Sequence, residues 1–241
     1  MPGQVRYRGA VDRDRRRLGA LFEVAGLLLW LVVFTRLHDA MGKDVAAATA
    51  DARAVQAAER ALHLDVELAA NRWLTDHPAL VDPAVYLYRL YYVAVAGVLL
   101  WLLVRHAEVY RHARRALVAM TVLILPVYFA APMSPPRFAL PGVVDVVAVH
   151  DIVERGTGGN QYSAMPSLHV GWALWCAYAA WRALRPARPR LAPLPWLFPA
   201  LMAADVLGTG NHYVLDIAGS VALVAAAVGV ATLWDRARPG G

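Results

Sequence analysis

Long apolar runs alternate with short polar segments along most of the chain. Each run holds about 17 to 23 mostly apolar residues, enough for a helix to cross a hydrocarbon core of about 30 Å. The pattern therefore predicts an all-α, polytopic membrane protein built as a bundle of six transmembrane helices. The predicted spans cover residues 18–37, 84–104, 116–133, 166–184, 191–207 and 212–234.

The first apolar run is expected to stay in the protein as a span. It is longer than the apolar region of a typical signal peptide, and no small-residue cleavage site follows residues 34–38. No internal repeat and no long linker divides the chain, so residues 1–241 are expected to form one membrane-embedded domain.

The polar segment after the first span carries a second helical pattern. Its apolar residues recur at steps of three and four within residues 43–64, which predicts an amphipathic helix on the outer membrane surface. Such a helix either shelters a site or only packs on the bundle, and the second alternative is the more common one. The apolar positions are Val45, Ala48, Ala52, Val55, Ala58 and Leu62.

Composition agrees with a membrane protein, and charge gives an orientation. The chain is 59% hydrophobic and 17% charged, which excludes a disordered protein, and its single cysteine, Cys176, excludes an intramolecular disulfide. Arginines cluster before the first span and after the second, fourth and sixth, whereas residues 38–82 hold four cations and eight acids. The positive-inside rule then predicts a multi-pass plasma-membrane protein with a basic cytoplasmic tail at 1–17 and both termini cytoplasmic. Residues 38–83 and 134–165 become extracytoplasmic loops, and nucleic acid is not an expected partner.

Two polar groups lie near the start of the fourth span. In residues 132–137, prolines set a stiff turn that holds Arg137 at the outer surface. In residues 163–169, Pro166 suits the first position of a helix, with Ser167 and His169 in its first turn. A helix start attracts phosphate through its unpaired N–H groups and its dipole. Taken singly, His169 is more often a satisfied polar residue at the end of a span.

A third polar group, residues 208–216, opens the last span with a glycine-rich turn. His212 and Asp216 are spaced i, i+4 on one helical face. The carboxylate can accept an imidazole N–H and fix the tautomer, which frees the other ring nitrogen to attack. The alternatives are a hydrogen bond on the helix surface or half of a metal site. We expect no metal, because the outer loops lack a cluster at metal-ligand spacing.

These three groups are expected to meet on one side of the membrane. With cytoplasmic termini, the fourth and sixth spans both run from outside to inside, so their amino ends share the outer face with Arg137. Three further ionisable residues in spans remain without a role: Glu23 and Arg89 would pair or reach the interface, and Asp205 would approach the site.

The three groups resemble the sequence blocks of the phosphatidic acid phosphatase type 2 superfamily. Residues 165–171, Met-Pro-Ser-Leu-His-Val-Gly, look like its second block, and residues 210–216, Gly-Asn-His-Tyr-Val-Leu-Asp, look like its third. Residues 131–137 resemble a shortened first block. The Ser-Leu-His form and the His-Tyr-x-x-Asp form are most similar to the branch that includes inositol phosphorylceramide synthases.

The resemblance implies a lipid phosphatase or phosphotransferase that needs no cofactor and acts on a lipid-linked phosphate in the bilayer. It implies that His212 attacks phosphorus to form a phosphohistidine, that Asp216 orients it, and that His169 protonates the leaving oxygen. Ser167 and Arg137 would hold the phosphoryl oxygens. We assign no oligomeric state.

The chain departs from the larger phosphatase families at two places. Ala130 stands where they have a lysine, and Asp205-Val206 stands where they have a Ser-Arg pair. A phosphomonoester carries about −1.5 to −2 charge at neutral pH and a diester only one, so fewer cations favour head-group transfer from a diester. Thr209 and Asn211, together with backbone N–H groups, are the candidates to bind the phosphate in place of the missing cations.

Two rival functions come from other classes. One is a non-catalytic bundle that binds or transports lipids. The other is a peptide hydrolase that uses Ser167 with His169, which is weaker because residues two apart on a helix do not face each other.

Overall fold

A computed structural model describes residues 2–41, 44–150 and 160–238, without the side chains of residues 2–18 and 20. The regular elements of this part of the chain are all helical, which confirms the predicted all-α class. Residue 43, where the predicted amphipathic segment begins, and residues 151–159 of the predicted loop 134–165 lie outside it. The side chains of residues 1–17, which the sequence predicts to form a basic cytoplasmic tail, also lie outside the described part of the chain.

The helices follow one another with short connections. In chain order they are α1 (Pro2–Ala40), α2 (Val45–Ala61), α3 (Glu67–Thr75), α4 (Pro78–Arg105), α5 (Ala107–Ala130), α6 (Pro136–Ala139), α7 (Val146–Val149), α8 (Leu168–Leu184), a 3₁₀ turn (Leu194–Trp196), α9 (Leu197–Gly208) and α10 (Val214–Ala237).

Four helices among the described residues are long and apolar enough to cross a membrane: Leu21–Ala40 within α1, then α4, α5 and α10. The helices at the fourth and fifth predicted spans, α8 and α9, have 17 and 12 residues. At 1.5 Å per residue they are about 26 and 18 Å long, shorter than a hydrocarbon core of about 30 Å. The count of six spans therefore stays a prediction.

Helix α5 begins at Ala107, nine residues before the predicted start of the third span at 116. The helix therefore extends beyond the predicted span by about two and a half turns that carry charged residues. Two of these residues contact the end of α10: Nδ1 of His112 lies 2.6 Å from Asp235, and Arg115 forms an ion pair with the same carboxylate.

Small side chains let the helices from α4 to α10 pack closely. Helix α5 lies against α10 and α8, while α8 also contacts α4 and α9. Ala113, Ala173 and Ala231 are fully buried at these contacts, and the indole N–H of Trp175 donates to the carbonyl of Ala113 at 2.8 Å. Small residues at helix contacts are typical of membrane bundles.

Helix α2 occupies most of the predicted amphipathic segment. Asp44 caps it by accepting the Ala47 N–H at 2.9 Å. Ala48 and Ala52 of the predicted apolar face are buried, but Val45 stays 49% exposed, and an acidic residue, Glu59, is fully buried. The inner face is thus partly polar, and the position of α2 on a membrane surface remains a prediction.

Asn71 fastens α3 to the end of α9. Its side-chain amide donates to the carbonyls of Val144 and Gly208, both at 2.9 Å, and its carbonyl oxygen accepts the Val144 N–H at 2.8 Å. Asn71 is fully buried. These three bonds place the turn after α9, from which the third sequence block begins.

Replacing Asn71 with alanine should destabilise the protein. Asn71→Ala leaves three backbone groups without their hydrogen-bond partner, so we expect the free energy of unfolding to fall by about 2 to 4 kcal/mol. Thermal unfolding of the purified protein in detergent measures this, with Arg72→Ala on the exposed side of α3 as control. An equal melting temperature in both variants would refute the role of Asn71.

Candidate active site

Backbone hydrogen bonds bring the first sequence block to the other two. The Met133 N–H donates to the Tyr162 carbonyl at 2.8 Å, and the Ala164 N–H donates to the Met133 carbonyl at 3.2 Å. The Arg137 N–H donates to the Gly210 carbonyl at 2.9 Å. Three distant segments therefore meet at one place.

The second and third blocks are joined at the starts of α8 and α10. The Ser167 N–H donates to the Asp216 carbonyl at 3.3 Å, and the Ser220 hydroxyl contacts the carbonyls of both residues at 2.8 Å. The Tyr128 hydroxyl donates to the Pro166 carbonyl at 2.8 Å, which ties the junction to α5. The relative placement of the two helix starts is therefore fixed by main-chain contacts.

Two acceptors hold the His212 ring from the same side. Its Nδ1 lies 2.8 Å from the Ala164 carbonyl oxygen and 3.2 Å from Oδ2 of Asp216. Since both partners only accept, Nδ1 must carry the proton. Nε2 then keeps its lone pair, the arrangement that an attacking imidazole requires.

His169, in the first turn of α8, lies close to His212, which precedes the N-cap of α10 at Tyr213 and so lies outside the helix in which the sequence placed it. The two ring centroids are 5.9 Å apart, with an angle of 60° between the planes. Tyr88 stacks on His169 at 4.1 Å, and Tyr91 meets it edge-on at 4.5 Å. Both tyrosines belong to α4, so the His169 ring of α8 packs against a neighbouring helix.

Ser167 caps α8 instead of standing inside its first turn. Its hydroxyl oxygen accepts the Val170 N–H at 3.3 Å, and the helix begins at Leu168. Pro166, expected at the first helical position, precedes the cap. The serine side chain is fully buried, yet its hydroxyl hydrogen can still be donated.

Arg137 lies beside the third block with partners on two sides. Its Nη1 donates to the side-chain oxygen of Asn211, and its Nε forms an ion pair with Asp145 at 3.1 Å. Its side chain is 14% exposed. The guanidinium is thus held firmly, and part of its charge is compensated by an acid.

The side chains of Thr209 and Asn211 are occupied by partners within the protein. The Thr209 hydroxyl donates to the Asp205 carbonyl at 2.7 Å, and the Asn211 amide donates to the Thr209 hydroxyl oxygen at 2.9 Å. The Asn211 oxygen also accepts from the Tyr88 hydroxyl at 3.2 Å. The hydroxyl hydrogen of Thr209 is therefore already used, and Asn211 links Arg137 to Tyr88.

Gly210 allows the tight turn that precedes His212. Its φ of +75° is in the left-handed region, and an added Cβ would lie 2.7 Å from Cγ1 of Val143. The following N–H groups of Asn211 and His212 both donate to the Val206 carbonyl, at 3.0 and 3.2 Å. A residue other than glycine would be strained at this position and would press on Val143 and Val144.

Two acids that the sequence did not single out cap the start of α10. Oε1 of Glu59 accepts the Leu215 N–H at 2.6 Å, and Oε1 of Glu67 accepts the Val214 N–H at 3.4 Å. Oδ2 of Asp216 accepts the Tyr213 N–H at 2.8 Å. The sequence pattern could have identified Glu59, because it lies four residues after Val55 and therefore on the same inner face of α2.

Tyr88, Tyr91 and Asn71 were also missed, because α4 and α3 were interpreted only as apolar or polar segments. Asp205 is buried near this site, and neither of its carboxylate oxygens has a hydrogen-bond partner among the described residues. The part of the chain that the structure describes holds no group of three or more His, Cys, Asp or Glu side chains suited to a metal.

Apolar helices of membrane-spanning length, with a cluster of polar and ionisable side chains at the starts of α8 and α10, define a helical membrane protein with a polar site. The model of the PAP2 superfamily matches residues 53–230, and the chain belongs to this superfamily. Membership supports a function of the phosphatase or phosphotransferase type. No curated protein and no solved structure matches the chain significantly.

The cap on α10 makes stability depend on pH. Burial, together with the adjacent Glu67 carboxyl, raises the pKa of Glu59 from 4.5 to about 8. The folded protein therefore keeps a proton that the unfolded chain releases, and the free energy of unfolding should fall as pH rises from about 4.5 to 8. Glu59→Gln keeps an acceptor for Leu215 and cannot ionise, so this decline should be smaller.

Melting temperatures measured between pH 5 and 9 test this expectation. Glu108→Gln, at an exposed site on α5, is the matched control and should follow the unmodified protein. Identical pH dependence in both variants would show that Glu59 does not titrate as inferred.

Proposed function

We propose that the protein is a membrane enzyme that transfers the phosphoryl group of a lipid-linked phosphate through a phosphohistidine on His212. The observation that carries the proposal is the His212 ring, with Nδ1 held by Asp216 and the Ala164 carbonyl and with His169 5.9 Å away. An oriented nucleophile beside a second titratable ring is the arrangement that two-step transfer requires.

In the first step, the Nε2 lone pair of His212 attacks phosphorus. The bond between phosphorus and the leaving oxygen breaks, and His169 gives its proton to that oxygen. Asp216 stabilises the positive charge that develops on the His212 ring. Positioning and charge stabilisation supply most of the acceleration in such transfers.

In the second step, water or an alcohol attacks the phosphohistidine. His169, now neutral, takes the proton of the attacking oxygen, and His212 leaves as the neutral imidazole. The chemistry balances without a cofactor or a metal, so we propose a metal-independent reaction.

Arg137 and the Ser167 hydroxyl are proposed to hold the phosphoryl oxygens. Thr209 and Asn211, predicted as further phosphate ligands, are proposed to act indirectly, through Arg137, and not to contact the phosphate themselves. Their mutual hydrogen bonds and the contact from Asn211 to Arg137 support a role in positioning that guanidinium.

The charge of the site favours a substrate of low charge. Asp145 pairs with Arg137, and the buried Asp205 stands where related phosphatases have a serine. A phosphodiester needs fewer cations than a monoester. We therefore propose transfer of a phosphate-linked head group, as in the branch of inositol phosphorylceramide synthases, and we place the site at the extracytoplasmic interface of the plasma membrane from the arginine distribution.

Labelling tests the proposed intermediate. A lipid phosphate that carries radioactive phosphorus should give a protein label that is stable in alkali and lost in acid. His212→Gln should give no label. Asp216→Asn should fold normally and lose about 10²- to 10⁴-fold in turnover, because the tautomer is no longer enforced.

His77→Gln, on the exposed connection before α4, is the control and should label normally. Undiminished turnover in Asp216→Asn would contradict the proposed role of Asp216, and an unmodified protein that binds the lipid without turnover or label would favour a bundle that only binds lipids.

A comparison of substrates tests the proposed preference. Initial rates with a lipid phosphomonoester and with a lipid whose head group is linked through a phosphodiester, at equal mole fraction in the same micelles, should favour the diester. Asp145→Asn releases Arg137 from its ion pair, so it should raise the relative rate of the monoester. Faster monoester hydrolysis by the unmodified protein would reverse the assignment.

A further inference from the structure

A groove between α5 and α10 lies far from the two histidines. It has a volume of about 570 Å³ and is lined by residues 114–123 in the middle of α5 and by residues 230–238 at the end of α10. Helix α10 has 24 residues, so the groove and His212 are at opposite ends of a helix about 36 Å long. The groove cannot be part of the candidate active site.

The floor of the groove is apolar and its rim is basic. Val118, Val122 and Val230 belong to the floor, and Arg114, Arg115 and Arg238 stand at the end from which α5 begins. Asp235 pairs with Arg115, so this end of the groove holds three arginines and one acid among the residues just named.

The dimensions of the groove match one leaflet of a bilayer. Its lining on α5 runs from Arg114 to Leu123, a rise of about 14 Å, and half of a hydrocarbon core is about 15 Å. Trp234 lies beside the arginines, with the guanidinium of Arg238 4.8 Å from its ring centroid. Tryptophan and arginine at this depth are typical of the boundary between acyl chains and head groups.

We propose that this groove is a binding site for an anionic phospholipid, whose acyl chain lies on the valine floor and whose head-group phosphate contacts Arg114 and Arg238. Charge complementarity selects the head group, because a zwitterionic lipid offers the arginines a phosphate already paired with a cation. Basic pockets between transmembrane helices bind anionic head groups on this principle. The site is separate from the proposed catalysis and does not depend on it.

Quenching of tryptophan fluorescence tests the proposal. The full-length protein is placed in nanodiscs of phosphatidylcholine that contain phosphatidylglycerol, with bromine on the acyl chains of one lipid or the other. The signal of Trp234 is the part that Trp234→Phe removes. Brominated phosphatidylglycerol should quench this signal more strongly than brominated phosphatidylcholine at equal mole fraction.

Two variants separate charge from shape. Arg114→Gln/Arg238→Gln should reduce the preference for phosphatidylglycerol by about fivefold for each arginine. Ala119→Phe fills the floor and leaves the charges in place, so it should reduce quenching by both lipids. Arg188→Gln/Arg190→Gln removes two exposed arginines outside the groove and should leave the preference unchanged.

Three results would overturn the proposal. They are equal quenching by both lipids, an equal loss of preference in the two double variants, and quenching that Ala119→Phe does not change. Inorganic phosphate is added in a parallel series, and loss of the preference at millimolar phosphate would identify a site for free anions instead of a lipid.

Discussion

The burial of three carboxyl groups at the start of α10 is the constraint on which the candidate site depends. Glu59, Glu67 and Asp216 are at most 1% exposed, and a buried carboxyl group is costly unless hydrogen bonds compensate it. Here the first N–H groups of α10 provide those bonds, and Glu59 keeps its proton at neutral pH because its pKa is raised to about 8. Because Asp216 contacts the His212 ring, the orientation of that imidazole depends on caps that α2 and α3 supply.

Around the start of α10, the main chain positions the segments and the side chains supply the polar groups of the candidate site. Backbone bonds join Met133 to Tyr162, Arg137 to Gly210 and Ser167 to Asp216, which fixes the segments before any side chain is considered. The imidazoles of His169 and His212 and the guanidinium of Arg137 project from this backbone framework, which restricts their orientations. Such a framework suits the proposed reaction, because a reaction that gains most of its rate from positioning slows when the reacting groups are displaced even slightly.

The sequence predicted what depends on local pattern. Apolar runs located the helices, and the spacing of His212 and Asp216 located their contact. It could not predict contacts between polar residues that are remote in the chain, such as Glu59 with Leu215, 156 residues apart, or Asn71 with Gly208, 137 apart. Helix α5 begins before the predicted third span, and the contacts of its first turns with Asp235 of α10 are likewise remote in the chain. Thr209 looked available for phosphate because its bond to the Asp205 carbonyl exists only in the folded turn.

The two ends of α10 differ in charge, and this difference separates the two proposals. At its start, Glu67 and Asp216 are buried beside His212 and Arg137 is already paired with Asp145, which favours the proposed substrate of low charge. At its end, arginines dominate, which favours a lipid of higher negative charge. About 36 Å of helix separates the two ends, so the proposed lipid in the groove and the proposed substrate at His212 belong to separate sites. The proposed groove lipid contacts α5 and α10 without reaching the histidines, so its binding and the proposed catalysis are independent of each other.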